Sequence, residues 1–457
     1  MNLSQIVKRT LFLLVFLSLS AQAQTATIQW GTSYQTIDGF GAAMTEWNNP
    51  FSAAELDFFC SPTSGIGLSL LRVEVNGSGS YPNVASMQGC ASRGASVWAM
   101  SLSPPASMKT NGSTICSTNG STIGYLASSS YPAFATYLSN LITTFKNNGV
   151  NLYGISPQNE PDYCPGLNGT YAYDGAIWTG ADFQSFIESN LGPTMAANGQ
   201  SGVKIIFPES ATWLAQSYES GTPGYSALSS PCMSDAGCAN YVGVTAWHDY
   251  DDASVISNPY SLSHFWETED SDPNNPYDSS MEDALTWANL IQSRMAQANA
   301  TAWHWWVIQF VGATSNEGLE DPSGFSLSNL PKRTYAIGNF SKFIRPGWVR
   351  ISATLSPQSG VTVSAYKDSS SGQFAIVAIN QNGSSVAQEF VLNAFSPATV
   401  TPWITSANLS LAEEPSVAAG GSFTYTLPAE SVTTFVGVAG TAGPDAPADL
   451  KATLTTH

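Results

Sequence analysis

Eight short apolar runs, separated by longer segments with helical periodicity, constrain the fold of this chain most strongly. The runs are predicted to be β-strands, and they are residues 39–44, 69–75, 97–102, 150–155, 203–207, 242–247, 263–268 and 302–311. Because strands alternate with helices and most strands are apolar throughout, we expect a parallel sheet covered by helices. Eight such units predict an α/β protein in which the sheet closes into a (β/α)₈ barrel.

Two of the intervening segments show the apolar spacing of an amphipathic helix. The first is predicted by residues at i, i+4, i+7 and i+11, namely Phe134, Leu138, Leu141 and Phe145. Gly149 follows it, where a helix C-terminus prefers glycine. The second is predicted by residues at the same spacing, namely Ala284, Ala288, Ile291 and Met295. Ser279 and Glu282 have the spacing of a capping box at its start.

Beyond residue 351 the pattern changes to short alternating runs, separated by turn residues such as Asn382 and Gly383. This pattern is typical of an antiparallel β-sandwich. The early run 26–30 also alternates and can pair with this sheet, so we expect the smaller domain to combine both chain ends. The expected organisation is a signal peptide at 1–23, a catalytic barrel at 38–343, a β-sandwich from 24–37 plus 344–439, and a linker or tail at 440–457.

The N-terminus has the features of a secretory signal peptide. Lys8 and Arg9 precede an apolar run at 11–19, and small residues at 21–23 precede the expected cleavage before Gln24. The apolar run is too short to span a bilayer, and the alternative is a buried or anchoring helix. We therefore expect a secreted protein, either extracellular or periplasmic.

Composition narrows the possible partners. Six cysteines suit an oxidising compartment and allow three disulfides, of which only Cys232 with Cys238 can be assigned from spacing. No Cys-x-x-Cys pair or histidine cluster appears, so we expect neither a metal site nor a cofactor. A net charge of −18 repels a phosphate backbone, which argues against nucleic acid. We expect no membrane partner and a monomeric protein.

Two glutamates stand where predicted strands end. The run that begins at Val150 stops at Glu160, and the run 263–268 stops at Glu269. Strand C-termini converge on one pocket in a (β/α)₈ barrel. Cleavage of a glycosidic bond needs one carboxylic acid and one carboxylate, so Glu160 and Glu269 are the predicted catalytic pair. Asn159, beside the acid, is predicted to hold the substrate's 2-hydroxyl.

Other readings of these carboxylates stay open. Glu267 lies two residues before Glu269, so strand alternation places both on the same side and cannot choose between them. The alternative for Glu160 is that it lies in a loop, next to asparagine and proline, and caps a helix. Three more glutamates near strand ends are interpreted as rim or structural groups, namely Glu46, Glu74 and Glu209.

Several motifs, in order and at matching spacing, resemble glycoside hydrolase family 30, a family of the clan of barrel glycosidases with carboxylates on strands 4 and 7. They are TIDGFGAAMTE at 36–46, LRVEV at 71–75, SPPASMKTNG at 103–112, SPQNEPDY at 156–163, WHDYD at 247–251, WETE at 266–269 and NFSKFIRPGWVRI at 339–351. The motifs lie between residues 36 and 351, and the resemblance extends over about residues 26–439. The resemblance implies a retaining β-glycosidase with a (β/α)₈ barrel and a sandwich built from both chain ends.

The resemblance also implies roles for individual residues. Glu160 matches the family's acid/base and Glu269 its nucleophile, with the carboxyl groups about 5 to 5.5 Å apart in a retaining enzyme. Arg72 matches the arginine near the nucleophile, and Tyr250 the tyrosine of the strand 6 motif. Arg72 either holds a carboxylate in its charged form or binds an acidic substrate. His248 is either a hydrogen-bonded wall residue or a proton shuttle.

Aromatic residues near predicted strand ends are candidates for stacking on sugar faces. The candidates include Trp47, Trp98, Tyr163, Trp266, Trp305 and Trp306. Core packing is the alternative for about half of such residues. The substrate partner is expected to be a polysaccharide or oligosaccharide.

Within the family, the extension of Glu160 into Pro-Asp-Tyr resembles the xylanase-type branch, so an endo-β-1,4-xylanase is expected. The alternatives are β-1,6-glucanase, β-1,6-galactanase and glucosylceramidase activity, or a non-catalytic carbohydrate-binding protein. Glucuronoxylanases of this type use an arginine after strand 8, but residues 302–331 contain no lysine or arginine. Leu102 stands where the family's usual motif has tryptophan, which removes an aromatic platform.

Overall fold

The computed structural model describes residues 24–167, 171–215, 223–254 and 256–440. The signal peptide expected at 1–23, and the expected tail from residue 441 onward, lie outside the described residues. No helix within these ranges is long and apolar enough to cross a membrane.

The strands of the described residues are numbered here in chain order. They are β1 Thr25–Thr36, β2 Gly39–Met44, β3 Leu70–Val75, β4 Ser96–Ser101, β5 Ser117–Thr118, β6 Thr122–Ile123, β7 Leu152–Ser156, β8 Lys204–Ser210, β9 Val242–His248, β10 Phe265–Glu269, β11 Asp272–Pro276, β12 Ala302–Val307, β13 Ser315–Asn316, β14 Val349–Ala353, β15 Val361–Lys367, β16 Gln373–Asn380, β17 Val386–Asn393, β18 Thr399–Thr405, β19 Ala412–Glu413, β20 Val417–Ala418, β21 Ser422–Leu427 and β22 Ser431–Val438.

Eight of these strands form a closed barrel with the neighbour order β10, β12, β2, β3, β4, β7, β8 and β9. All neighbouring pairs are parallel. Each barrel strand overlaps one of the eight predicted runs, so the predicted (β/α)₈ architecture is confirmed. The longest predicted run, 302–311, is shorter in the structure, because the chain leaves the sheet after Val307.

Helices surround the barrel and cover its apolar outer face. They are α1 Ala53–Cys60, α2 Val84–Ser92, α3 Tyr131–Asn147, α4 Gly180–Phe186, α5 Gly192–Ala197, α6 Gly224–Met233, α7 Ala236–Ala239, α8 Met281–Ala296 and α9 Lys332–Ser341. The predicted stripe of α3 is buried, and Gly149 follows this helix with φ of +73°. The N-cap of α8 is Ser280 rather than the predicted Ser279, because the Ser280 side chain accepts from the Asp283 amide.

The second domain is a β-sandwich to which both ends of the described chain contribute. Its sheet runs in the order β19, β18, β22, β16, β15, β14, β1, β17 and β21, and β20 pairs with β18. The N-terminal strand β1 pairs antiparallel with β14 and parallel with β17. Its residues Ala26 and Ile28 lie in the same apolar core as Phe390 and Phe435. The N-terminal strand is therefore held to the C-terminal sheet by both hydrogen bonds and packing.

All six cysteines are paired in the structure. Cys232 is bonded to Cys238, as its spacing predicted, and the other pairs are Cys60–Cys90 and Cys116–Cys164. The Cys116–Cys164 bond ties the loop after β4 to the loop after β7. Both loops lie on the barrel face where the strands end.

A buried ion cluster lies behind the seventh barrel strand, β10. Arg294 of α8 contacts Asp249 and also Glu267, the latter with 3.2 Å between Nε and Oε2. Glu267 in turn accepts a hydrogen bond from Trp303 Nε1 at 2.6 Å. Because all of these groups are buried, loss of the single cation leaves two carboxylates without compensation.

We predict that Arg294→Met lowers the free energy of unfolding by about 3 to 5 kcal/mol, the usual cost of breaking a buried ion pair. Chemical denaturation followed by tryptophan fluorescence measures this change. The control is Arg93→Met, since Arg93 pairs with a half-exposed Asp57 at the surface. The control should cost no more than about 1 kcal/mol. Equal losses in the two variants would contradict the role assigned to the cluster.

Candidate active site

The guanidinium group of Arg72 lies in the barrel mouth. Arg72 projects from β3 and is fully buried. Its NH1 donates to Glu269 Oε2 at 2.5 Å, and its NH2 donates to Asn159 Oδ1 at 2.6 Å. Its Nε donates to Glu209 Oε1 at 3.3 Å. Acceptors that follow three different barrel strands therefore converge on one cation.

A β-bulge turns Glu269 toward this cation. Glu267 is paired with Trp247 of β9 and Glu269 with His248, so Thr268 is an extra residue in β10. Glu267 points to Trp303 and the ion cluster outside the barrel, whereas Glu269 points into the mouth. The expectation that both glutamates lie on the same side is therefore wrong, because the bulge breaks the two-residue alternation.

Tyr250 holds the second oxygen of Glu269. Its hydroxyl group donates to Glu269 Oε1 at 2.9 Å and lies 3.2 Å from Ser271 Oγ. Each carboxylate oxygen of Glu269 therefore has a donor, one from Tyr250 and one from Arg72. This arrangement fixes the orientation of the carboxylate at the mouth.

Glu160 lies four residues beyond the end of β7, in a loop rather than at the strand terminus. Its φ of +44° is unusual for a residue other than glycine. Two backbone hydrogen bonds hold this conformation, from the Glu160 amide to Glu209 O at 3.0 Å and from the Asn159 amide to Ser101 O at 2.9 Å. The loop is thereby anchored to the ends of the barrel strands on both sides, β4 and β8.

Two side chains contact the Glu160 carboxylate. Tyr173 donates its hydroxyl hydrogen to Oε2 at 3.0 Å, and His248 Nδ1 lies 3.2 Å from Oε1. Glu160 and Glu269 are both almost completely buried, and one carboxylate oxygen of each lies within 4.8 Å of the other. Such close approach agrees with the separation of about 5 to 5.5 Å between the carboxyl groups of retaining glycosidases.

The charged groups of the mouth shift one another's pKa values. Burial by itself lowers the pKa of His248, but Glu269, Glu160 and Glu209 together raise it to about 10. Burial by itself raises the pKa of Glu209, but Arg72 and His248 lower it below its usual value. Burial raises the pKa of the Glu269 carboxyl, whereas His248 and Arg72 oppose this rise. His248 is consequently a cation that faces three carboxyl groups.

The same atoms have the spacing of a metal site. Ligand atoms of Glu160, His248 and Glu269 lie within 4.8 Å of one another. A metal ion needs a deprotonated imidazole nitrogen, however, and the raised pKa of His248 favours a hydrogen on both nitrogens, so a metal ion would have to displace a proton there. The arrangement therefore suits proton and charge chemistry better than metal binding.

The structure separates the predicted aromatic residues into two groups. Trp47 is 47% exposed, and Tyr163 and Trp306 are partly exposed at the mouth. The other three rings are completely buried, so we correct the expectation that they stack on sugars; they are Trp98, Trp266 and Trp305.

Each buried ring instead donates its indole N–H inside the protein. Trp98 donates to His304 Nε2 at 3.2 Å, and Trp266 donates to Asp38 Oδ2 at 2.7 Å near the opposite end of the barrel. Trp305 donates to the backbone of Glu317 at 2.5 Å and packs against Trp287 between barrel and helix. These rings are structural parts of the barrel wall.

Sequence reasoning missed Tyr173. Tyr173 lies in a loop without periodicity, thirteen residues after Glu160, so no pattern marks it. Glu209, interpreted from the sequence as a structural or supporting group, contacts Arg72 and lies 3.7 Å from His248 Nε2. Its position at the end of a barrel strand was the available signal.

A (β/α)₈ barrel with two buried carboxyl groups facing each other across its mouth defines the class of retaining glycoside hydrolases. Comparison with known proteins leads to the same class. The model of the glycosyl hydrolase family 30 TIM-barrel domain matches residues 79–275, and that of the family's beta sandwich domain matches residues 347–435. The chain belongs to glycoside hydrolase family 30.

Relatives and solved structures support this membership over nearly the whole length. The chain is 32% identical over 429 residues to the glucuronoxylanase XynC of Bacillus subtilis strain 168, covering 91% of this chain and 92% of the relative. The family 30 subfamily 8 xylanase Xyn30A of Clostridium acetobutylicum superimposes with a TM-score of 0.76 at 32% identity, covering 91% and 100%. A family 30 endoxylanase of Clostridium papyrosolvens C71 superimposes with a TM-score of 0.73 at 29% identity, covering 91% of this chain and 100% of the other.

The raised pKa of His248 predicts how its contribution to stability changes with pH. A histidine whose folded-state pKa of about 10 exceeds its unfolded value of about 6.5 stabilises the fold fully below pH 6.5. This contribution is lost as pH rises toward 10. We predict that the difference in melting temperature between the wild type and His248→Gln narrows over this interval. A difference that stays constant with pH would show that His248 is neutral in the folded protein.

Proposed function

We propose that this family 30 enzyme is a secreted endo-β-1,4-xylanase in which Glu160 is the acid/base and Glu269 the nucleophile. The observation that carries the proposal is the pair of buried carboxyl groups at close approach, each with its own set of partners. Glu269 has the cation Arg72 on one oxygen, which favours its ionised form. Glu160 contacts no arginine or lysine among the described residues.

In the first step Glu269 attacks the anomeric carbon while Glu160 protonates the departing glycosidic oxygen. The bond from carbon to the leaving oxygen breaks, and a covalent glycosyl ester forms on Glu269. The hydrogen bonds from Arg72 and Tyr250 aim the Glu269 carboxylate and favour its ionised form, against burial, which raises its pKa. The transition state carries positive charge on the sugar, which the surrounding carboxylates stabilise.

In the second step the ionised Glu160 takes a proton from water, and the water oxygen attacks the anomeric carbon. The ester bond to Glu269 breaks, and both residues return to their starting protonation states. Two inversions give net retention of configuration. His248, at 3.2 Å from Glu160, stabilises the carboxylate form that exists between the two steps.

Asn159 is suited to the substrate's 2-hydroxyl group. Its Oδ1 accepts from Arg72, which fixes the orientation of the amide. The Nδ2 hydrogens are then available as donors to the sugar. Hydrogen bonds to the 2-hydroxyl strengthen in the transition state of glycosidases.

The substrate assignment is supported by the relatives, which are named as xylanases and cover nearly all of this chain. Trp47 and Trp306 supply aromatic surface at the mouth. The loop after β12 contains no lysine or arginine, and its acidic residues include the partly exposed Asp321. The enzyme therefore lacks, in this loop, the cation that would grip a glucuronate branch.

Secretion is supported by two observations. The N-terminal residues have the charge and apolar pattern of a signal peptide. All six cysteines are paired, which is typical of proteins that fold in an oxidising compartment.

We predict that Glu269→Gln and Glu160→Ala each reduce xylan hydrolysis by at least about 10² to 10⁴-fold, the range for loss of a catalytic acid or base. Only Glu160→Ala should keep cleaving an aryl xyloside whose leaving group needs no protonation. Glu282→Gln on the exposed face of α8 is the control and should be as active as the wild type. Near-normal xylan hydrolysis by either active-site variant would contradict the assignment.

We predict that linear, unsubstituted xylan and glucuronoxylan are cleaved at rates that differ less than about tenfold, since no charge-assisted contact to glucuronate is available in the loop after β12. Product sizes from both polymers, measured by chromatography, test this. An endo-acting enzyme releases long oligomers at early times. If the enzyme cleaved only β-1,6-glucan or β-1,6-galactan and not xylan, the xylanase proposal would be rejected in favour of another activity of the family.

A further inference from the structure

Lys109 is a buried cation that the proposed mechanism does not use. Its ammonium group donates to Gly175 O at 2.5 Å, to Thr114 O at 2.8 Å, to Ser103 Oγ at 3.0 Å and to Ile115 O at 3.1 Å. Only 6% of this residue is exposed. A buried ammonium group is costly unless it is well bonded, and here several oxygens surround it. Such a group must hold the elements that supply those oxygens.

The oxygens come from two loops on the catalytic face. Thr114 and Ile115 belong to the loop after β4, and Gly175 belongs to the loop after β7 that also carries Glu160. Hydrogen bonds join the loops as a short antiparallel ladder, from the Cys116 amide to Tyr173 O at 3.4 Å and from the Gly175 amide to Thr114 O at 3.1 Å. The ammonium group of Lys109 closes one end of this ladder.

Two further contacts hold the same ladder. The Cys116–Cys164 disulfide links the two loops covalently. Asp174 Oδ2 accepts from the Gly77 amide at 2.7 Å, which ties the ladder to the loop after β3. Burial lowers the pKa of Lys109 to about 7, and Asp174, which faces Lys109, opposes this shift. The segment from Tyr173 to Gly175 is thus fixed from several sides.

Tyr173 connects this ladder to the reacting groups. Its backbone is in the ladder, and its hydroxyl group donates to Glu160 Oε2 at 3.0 Å. We propose that Lys109 is a positioning residue for the acid/base: by holding the ladder it keeps the Tyr173 hydroxyl on the Glu160 carboxylate. This proposal rests on the proposed role of Glu160.

The expected consequence is a change in the pH dependence of the reaction. A hydroxyl group that donates to a carboxylate favours its ionised form, so its loss favours the protonated acid. The other ionisable groups that face Glu160 are not altered by these substitutions, and they are His248, Glu269, Asp162 and Tyr250. The alkaline limb of kcat/KM should therefore move to higher pH.

The test compares Tyr173→Phe, Lys109→Met and the double variant on xylan. Each single variant should lower kcat about tenfold and shift the alkaline limb upward by about one pH unit, the effect of losing a hydrogen bond to a charged group. If Lys109 acts through Tyr173, the double variant should be no worse than the more affected single variant. Lys146→Met, on the exposed end of α3, is the matched control and should leave the profile unchanged.

An unshifted profile in a folded Lys109→Met protein, or additive losses in the double variant, would overturn the proposal. Should Lys109→Met not fold, Asp174→Asn takes its place, because it weakens the same ladder at its contact with Gly77. The shift must then appear in that variant, and its absence rejects the proposal.

Glu160→Ala separates this inference from the role of Glu160 itself. If azide restores activity to Glu160→Ala but the Lys109 and Tyr173 variants keep the wild-type profile, only the positioning role fails. If Glu160→Ala hydrolyses xylan like the wild type, the acid/base role of Glu160 is rejected, and the positioning role of Lys109 is rejected with it.

Discussion

The arrangement of the barrel mouth depends on the burial of one guanidinium group, that of Arg72. A buried cation is stable only when it is fully paired. Arg72 therefore draws together Glu269 from the seventh barrel strand, Glu209 from the fifth and Asn159 from the loop after the fourth. The rings of Trp98 and Trp306 lie 5.5 and 5.7 Å from the guanidinium carbon and restrict its movement. A lysine at this position has neither the planar fork nor enough directed hydrogens to replace it.

The alternation of apolar runs was enough to predict the eight barrel strands, because strands that are buried on both faces and followed by amphipathic helices have few other packings. The motifs at strand ends also identified residues that the structure brings together, namely Arg72, Asn159, Glu160, His248, Tyr250 and Glu269. Their catalytic roles remain the proposal made above. All of these residues except Arg72, which lies within β3, stand at or just beyond the end of a barrel strand, a position that chain order alone reveals.

The wrong predictions for barrel-strand residues have a common physical origin. Where both faces of a strand are buried, the sequence does not show toward which face a side chain points. A tryptophan in the barrel wall looks the same in the sequence as one that stacks on a sugar at the barrel mouth. The spacing of Trp98, Trp266 and Trp305 therefore does not show that all three are buried in the wall. At Glu267 and Glu269 the regular period itself fails, because one extra residue at Thr268 reverses the direction of the second side chain. Tyr173 was beyond any pattern because its loop is shaped by long-range contacts.

The charges of the mouth have a consequence for the proposed mechanism. In the proposed mechanism the first step begins with a proton on Glu160 and a charge on Glu269, so the cations Arg72 and His248 face the anions Glu209 and Glu269 when substrate binds. When Glu160 gives its proton to the leaving group, the side chains of the barrel mouth gain one negative charge. At the same moment positive charge develops on the sugar. Because these groups are buried and held by hydrogen bonds, little reorganisation is needed for that charge to be stabilised. The ion pairs that hold Arg72 in the fold thus also provide the electrostatic setting that an oxocarbenium-like transition state requires.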